Sequence, residues 1–387
     1  MPHHRITIAH LVFSMNVGGM ENGIVNIANG LDAESFETHI ICLEEAGVFR
    51  SRLRPNVVIH TLGRRGEGVS FKLTFRLWRL LARINPDVLH THNLGPLVYG
   101  VMATLFRFGI PILHGEHAKL EQHDRTRRRL LERTVLYRFC RQIHTVSGEL
   151  LHEISGLAPA RSTVFAIRNG VDTERYSPGS PTAARRMLDL PEEGIYMGLV
   201  GRLVPAKRHK ELLEAFNLIA RENPQLRLLL VGNECAYKAE IDRLIALSPY
   251  GERIHFRSFR EDPLPFYHAL DLLVLPSATE GLSNVVLEGM ACGLPLIVHQ
   301  ACGNAEVTGA GRFAWMASLD TPLQIAEKVR ELLQDPEEMR ALGTAARQNA
   351  EQNLSLEAMV ENYATAYRAI ATPGEVHNAR GSRPASL

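Results

Sequence analysis

The chain has 387 residues, more than one ordinary core accommodates, so two domains are expected. Apolar residues make up 45% and charged residues 22%, the balance of a soluble globular protein, and a net charge of +1 argues against nucleic-acid binding driven by phosphate neutralisation. Five cysteines (Cys42, Cys140, Cys235, Cys292, Cys302) are scattered without a CxxC pair, as suits a reduced cytosol. No run approaches the roughly 20 apolar residues of a membrane span, and Ile6 to Val12 is too short for the core of a signal peptide.

Arg5 to Met15 reads as a buried strand, and Asn16-Val17-Gly18-Gly19-Met20-Glu21 as a tight glycine loop that opens an amphipathic helix near Asn22 to Leu31. The loop lacks GxGxxG, so it fails as a dinucleotide fingerprint. Strand-like runs follow at Thr38–Leu43, Val57–Leu62, Asp87–Thr91, Ile110–His114, Gln142–Val146 and Val164–Ile167, with helical patterns such as Phe71–Ile84 and Leu97–Phe106 between them. Asn169-Gly170-Val171-Asp172 turns sharply, and Ser177-Pro178-Gly179-Ser180-Pro181 has the composition of a linker. A second alternating series begins at Ile195–Gly201 and continues through Leu226–Val231, Ile254–Phe256, Leu272–Leu275 and Leu296–Val298. The end is helical from about Pro322 to Ala371. The expected division is 1–168, 169–371 with the final helix free to pack back on the first domain, and a disordered tail at 372–387.

Open α/β sheets bind ligands beyond the carboxyl ends of their strands. Beyond Leu272–Leu275 lies Thr279-Glu280-Gly281-Leu282-Ser283-Asn284, with Ser283 as a cap candidate and a helix that carries Glu288 before stopping at Gly293-Leu294-Pro295. First-turn amides from Ser283 to Val286 are read as an anion site between the two glutamates. Beyond Ile195–Gly201, Arg202 and Lys207 straddle a proline loop ahead of a helix at about His209–Ala220, where a helix dipole disfavours cations unless an anion binds. His90, His92, His114 and His117 fall at strand ends of the first half; their spacing matches no HxxxH metal site, so a hydrogen-bonding or basic role in a cleft is favoured. No Asp-x-Asp occurs that could hold a divalent ion. Arg125 to Arg141 carries seven arginines against one glutamate, with Leu131, Val135 and Phe139 at helical spacing. That suits either contact with an anionic membrane or a core-packed helix with a solvated basic face.

Together these residues resemble the retaining glycosyltransferases of family 4, over about Ile6 to Ala371. Glu280 and Glu288 match that family's E-x7-E motif, Gly201-Arg202 with Lys207 its phosphate-binding cations, and Gly18-Gly19 and Asn169–Asp172 its loop and junction. Arg208-His209 stands where many members have glycine. The Val17–Gly23 opening and His114-Gly115-Glu116-His117 are most similar to exopolysaccharide sugar transferases of the PEP-CTERM/exosortase-associated type.

The resemblance implies a GT-B fold, an α/β architecture of two Rossmann-like domains with parallel sheets facing across a cleft. The acceptor would bind the first domain and a nucleoside-diphosphate sugar the second. Glu288 would hold the ribose and Glu280 the donor sugar at the reacting centre. Arg202 and Lys207 would stabilise the leaving diphosphate, amides near Ser283 and Asn284 would hold the phosphate, Gly18 and Gly19 would close on it, and His117 would bond the sugar, in competition with His114. The implied reaction is metal-independent, retaining transfer to a saccharide or polyprenyl-linked glycan, with no cofactor and no nucleic-acid partner. Its expected setting is cytoplasmic, with peripheral contact at the inner face of the membrane through 125–141 left open. A nucleotide-sugar epimerase of the same fold and a non-catalytic nucleotide-sugar-binding protein are the rivals.

Overall fold

The computed structural model describes residues 5–16, 18–66, 68–105, 109–117, 120, 124–233, 235–260, 262–278, 282–300 and 304–371. The expected tail at 372–387 lies outside them.

Seven strands form the first sheet: β1 (Ile6–Val12), β2 (Phe36–Cys42), β3 (Val58–Thr61), β4 (Val88–His92), β5 (Ile112–Glu116), β6 (Cys140–Thr145) and β7 (Thr163–Ala166). Six form the second: β8 (Ile195–Val200), β9 (Leu226–Gly232), β10 (Ile254–Ser258), β11 (Leu272–Leu275), β12 (Leu296–His299) and β13 (Trp315–Ala317). Every pairing within the two sheets is parallel, with orders β3-β2-β1-β4-β5-β6-β7 and β10-β9-β8-β11-β12-β13. Central strands such as β4 and β11 are buried along their whole length, as expected where helices cover both faces. The two sheets repeat one winding, and each reverses direction beside its first strand, between β1 and β4 and between β8 and β11. Those two switch points are where such sheets leave a crevice for a ligand. Trp315–Ala317 extends the second sheet by one strand beyond the apolar run that ends at Val298.

Local signals explain the boundaries. Ser70 caps the helix Phe71–Ile84 by accepting from the Leu73 amide at 3.4 Å, and Asn85 ends it in the left-handed region, φ 52°, ahead of Pro86. The helix Asn284–Ala291 ends at Gly293, φ +73°, whose following residue returns its amide to Gly289 O at 3.0 Å. The linker composition at 177–181 is half a helix start: Ser180 caps Pro181–Met187.

The chain crosses between units near residue 168 and returns near 354, where Val171 donates to Leu354 O (2.9 Å) and Leu356 donates to Val171 O (3.1 Å). The last helix, Leu356–Ala371, sets Met359, Tyr363 and Tyr367 against Ile8, Ile27 and Val88. Residues 356–371, which a division at 168/169 assigns to the second unit, therefore complete the core of the first. Their apolar stripe is buried against the first sheet.

Candidate active site

Glu288 lies a turn into the helix that begins at Asn284, and its carboxylate is buried. Tyr267 donates a hydrogen bond to Glu288 Oε2. Burial pushes the Glu288 carboxyl up to about 7, against the opposing pull of the Tyr267 and Tyr176 hydroxyls and the charges of Arg52 and Arg175. The cavity beside it is lined by Asn22, Asn26 and Arg52 from the first unit and by Arg175, Tyr176 and Asn284. Asn22, Asn26, Arg52, Arg175 and Tyr176 were absent from the sequence-derived set. The only local signal for any of them is the Asn22/Asn26 pair at i, i+4 on the helix Gly19–Gly30.

Glu288→Gln removes the cost of ionising a buried carboxyl. The folded carboxyl binds its proton more tightly than the unfolded one, so ionisation destabilises the fold as pH rises towards and above 7. At pH 8 the glutamine variant is expected to melt higher, by on the order of 1–3 kcal/mol, while donor affinity falls. A lower melting temperature at pH 8 would show that the carboxylate is held by compensating charges.

Ser283 is buried and caps this helix without a side-chain bond; its carbonyl accepts from Val286 N at 3.1 Å and Leu287 N at 3.2 Å. The Val286 amide is thus spent inside the first turn, which trims the expected anion site to the amides before it. Asn284 bridges the two units: its Nδ2 donates to Gly19 O at 3.0 Å and its Oδ1 accepts from Asn169 Nδ2 at 3.0 Å. Gly18 caps the helix Gly19–Gly30 in extended backbone, φ −173°, so the glycine pair answers no dihedral demand there. A Cβ on Gly19 would sit 3.6 Å from Asn284 Nδ2, an ordinary contact. Glu280 lies outside the described residues.

Arg202 follows β8 and is exposed. Its charge pulls down the Glu21 carboxyl, which burial raises, so it acts across the cleft on the helix of the glycine loop. Lys207 closes a 3-10 turn, Pro205–Lys207, whose Ala206 carbonyl accepts from Ala278 N at 2.9 Å. That bond ties the cation loop to the loop after β11. Arg208, where the family pattern has glycine, adopts the left-handed conformation, φ 58°. Its guanidinium offsets the strain by donating to Pro276 O (3.2 Å), Leu319 O (2.8 Å) and Asp320 Oδ1 (2.8 Å). In this chain the left-handed entry to the helix is held by these three bonds of the Arg208 side chain.

His114 is fully buried, 2.9 Å from Thr91 Oγ1 and 3.4 Å from Glu116 Oε1. His117 is partly exposed; its amide donates to Asn93 Oδ1 at 3.1 Å, and its Nε2 is 2.9 Å from His92 Nδ1. Of the two, His117 lies beyond the strand end and His114 within the sheet.

Residues 17–175 match the model of Glycosyltransferase Family 4, and residues 182–349 that of the Glycosyl transferases group 1. Both matches are to glycosyltransferase models, and between them they cover most of the chain. A D-inositol 3-phosphate glycosyltransferase of Catenulispora acidiphila is 27% identical over 87% of this chain and 86% of its own length. The UDP-Gal:alpha-D-GlcNAc-diphosphoundecaprenol alpha-1,3-galactosyltransferase of Escherichia coli is 26% identical over 78% and 81%. The crystal structure of Anabaena HepE in complex with UDP-glucose superposes with a TM-score of 0.84, covering 94% of this chain and all of that one at 20% identity, which shows the shared GT-B fold.

The basic segment forms the helix Arg127–Tyr137. Arg133 is not on its surface: it is 3% exposed and pairs with Glu116 and Asp124, each at 3.1 Å. Burial of Arg133 and Tyr137 turns the expected apolar stripe outward, leaving Leu131 64%, Val135 45% and Phe139 46% exposed. The helix still packs on the core with its arginines at 127–129 solvated, but through Leu130, Leu136 and Tyr137 and not through that stripe. Among the described residues no helix is long and apolar enough to cross a membrane.

Proposed function

We propose that the protein is a retaining, metal-independent glycosyltransferase that moves a sugar from a nucleoside diphosphate to a saccharide or polyprenyl-linked acceptor in exopolysaccharide or cell-envelope synthesis. The observation that carries this reading is Asn284, which joins the helix start after β11 to Gly19 of the opposite unit and so brackets the space between the two switch points. In this reading Glu288 holds the ribose hydroxyls, and Glu280 contacts the donor sugar. Amides at Ser283 and Asn284 bind phosphate, with Gly18 and Gly19 closing over it, and His117 bonds the sugar. Arg202 and Lys207 neutralise the departing diphosphate, whose oxygen takes the acceptor proton, so the protein contributes position and charge. Neighbours solved with UDP and UDP-glucose place uridine donors first for testing. The glycine opening and His114-Gly115-Glu116-His117 support a PEP-CTERM-associated exopolysaccharide role, and the five scattered cysteines support a cytoplasmic setting.

The deciding experiment incubates purified protein with UDP-, GDP- and ADP-sugars and lipid-linked acceptors in EDTA, and follows the anomeric proton of the product. Transfer with retained configuration is expected at the same rate with and without chelator. Inverted product, a rate restored only by Mn²⁺, or isomerised donor without acceptor would each overturn the proposal, the last in favour of an epimerase. Donor binding with neither transfer nor hydrolysis would mean a non-catalytic binder.

The same reading places the protein at an anionic membrane. Arg127, Arg128, Arg129 and Arg138 are exposed beside the outward stripe, and the helix Phe71–Ile84 in the same layer exposes Phe71 and Phe75 among Lys72, Arg76 and Arg79. Sedimentation with phosphatidylglycerol vesicles, set against neutral phosphatidylcholine, is expected to pull down the protein. Glutamine at Arg127, Arg128 and Arg129 should weaken binding by about 100-fold, from ~1 kcal/mol per cation near the surface. Equal binding to both vesicle types would remove the membrane from the reading.

A further inference from the structure

Strand register builds a histidine layer that the donor site does not use. His10 on β1 pairs with His90 on β4, and Gly115 on β5 has His92 of β4 on one side and His144 of β6 on the other. Side-chain alternation sends His10, His90, His92 and His144 to one face, all fully buried, under Tyr363 and Tyr367 of the last helix. Gly115 leaves room for them; a Cβ there would come within 2.8 Å of His117 Nε2.

The rings join in two chains. In one, His10 Nδ1 meets His92 Nε2 at 3.0 Å and His92 Nδ1 meets His117 Nε2 at 2.9 Å. In the other, His144 Nε2 meets His90 Nε2 at 2.8 Å, and His90 Nδ1 meets the Tyr367 hydroxyl at 2.8 Å. The nitrogens of His10, His90 and His92 lie close enough together to suggest a metal. Ring geometry points elsewhere. The centroids of His10 and His92 are 5.3 Å apart with planes 12° apart, and those of His92 and His117 are 5.1 Å apart. Each separation is the N···N distance plus about one ring diameter, so the rings meet end-on, nitrogen to nitrogen. A shared metal needs lone pairs that converge on one point instead.

Burial keeps the first chain uncharged: it pulls His10 down to about 3, His117 to about 4, and His92 well below the usual histidine value. Three neutral imidazoles carry three ring N–H groups, and the two gaps consume two of them. The third proton must sit at one end, on His10 Nε2 or on His117 Nδ1. His10 Nε2 is buried with no partner among the described residues, and an orphaned donor is rarer in proteins than an orphaned acceptor. His117 is partly exposed, so an N–H there can bond water or a ligand oxygen.

We propose that His92 and His10 are positioning residues that hold neutral His117 in its Nδ1–H tautomer, so that it presents a hydrogen-bond donor to the cleft and not a base. His92 and His10 then act on the reaction only through His117. The proposal rests on the reading that His117 bonds the transferred sugar. It assigns that bond a direction, from imidazole to sugar oxygen, and removes His117 as a candidate for deprotonating the acceptor.

The test labels the full chain with 15N-histidine and records long-range proton–nitrogen correlations at pH 7.5, with rings assigned through His10→Gln and His117→Gln variants. Expected are Nδ1–H tautomers at both His117 and His10, with bare Nε2 nitrogens. An Nε2–H tautomer or an imidazolium at His117 would overturn the proposal, as would stoichiometric metal retained through purification, which would make the histidines ligands. His92→Leu cuts the chain and should mix the tautomers of His117 and lower kcat about tenfold with little change in donor KM. His92→Gln, whose amide can accept from His10 and donate to His117, should restore both readouts. The expected tautomer in the wild type with kcat unchanged in His92→Leu would instead sink the contact between His117 and the sugar, which separates the two failures.

Discussion

Alanine at Arg202 or at Lys207 lowers the transfer rate by about 10²–10³, the usual effect of deleting one group that stabilises charge developing in a transition state, while the melting temperature stays close to wild type. Stability is spared because Arg202 is exposed and Lys207 is only partly buried. The rate is not spared, because the two cations stand at the carboxyl end of β8 beside a loop tied to the one after β11, where the proposed leaving group gathers charge. The double variant should lose less than the product of the two single effects, since both cations act on one diphosphate. Glu280→Ala is expected to abolish transfer alike. Arg208 supplies the control: Arg208→Ala gives up three hydrogen bonds that hold the loop after β11 and residues 319–320, so it should lower the melting temperature before it changes the chemistry. Initial rates with a saturating uridine-diphosphate sugar, alongside thermal melts, decide the matter. Near-wild-type transfer by Arg202→Ala, Lys207→Ala or Glu280→Ala at an unchanged melting temperature would remove the proposed assignment.

Mild acid unfolds the protein well above the usual acid transition of carboxylates. Burial holds His10 at about 3, His117, His209 and His255 at about 4, and His90, His92 and His144 well below 6.5. Each binds its proton more weakly folded than unfolded, so its contribution is intact above pH 6.5 and lost as pH falls towards the folded value. Between pH 6.5 and 5 one such histidine costs about 2 kcal/mol, and four approach the whole stability of an ordinary domain. Three carboxyls bear on the sum. Glu21, raised by burial, gains stability as pH falls. Glu288, raised to about 7, gains stability as pH falls through 7, worth about one histidine in the opposite direction. Glu116, depressed to about 2 by His114, Arg133 and Tyr137 despite its burial, loses stability only below about 4.5, beneath the window. The melting temperature should therefore drop steeply between pH 6.5 and 5, and His144→Phe should flatten that slope. A melting temperature that holds steady to pH 5 would show that the histidine layer is solvated or charged.

Much of the architecture was legible in local pattern. Apolar runs ending at Gly201 and at Pro276 marked strand ends, because a strand buried on both faces must be apolar throughout and must stop where the chain turns polar; the first run, read to Met15, ends as a strand at Val12. The helix carrying Glu288 and its stop at Gly293 followed from cap and left-handed signals that act within a few residues. Arg208 shows the limit of such rules, since the left-handed turn persists without glycine because distant carbonyls at Pro276 and Leu319 hold the side chain.

By itself the sequence determined two parallel α/β units, the helix start around Glu288 and the cations after β8, all features set by contacts between near neighbours in the chain. Tertiary structure alone decided the rest. It decided that the last helix completes the first core, that Leu131, Val135 and Phe139 face outward because Arg133 finds Glu116 inside, and that Glu288 is desolvated against Tyr267. It also decided that histidines up to 134 positions apart form one layer. Each of these depends on which surfaces meet across sheets and between units, and an amphipathic stripe or a polar side chain carries no mark of the partner that will cover it.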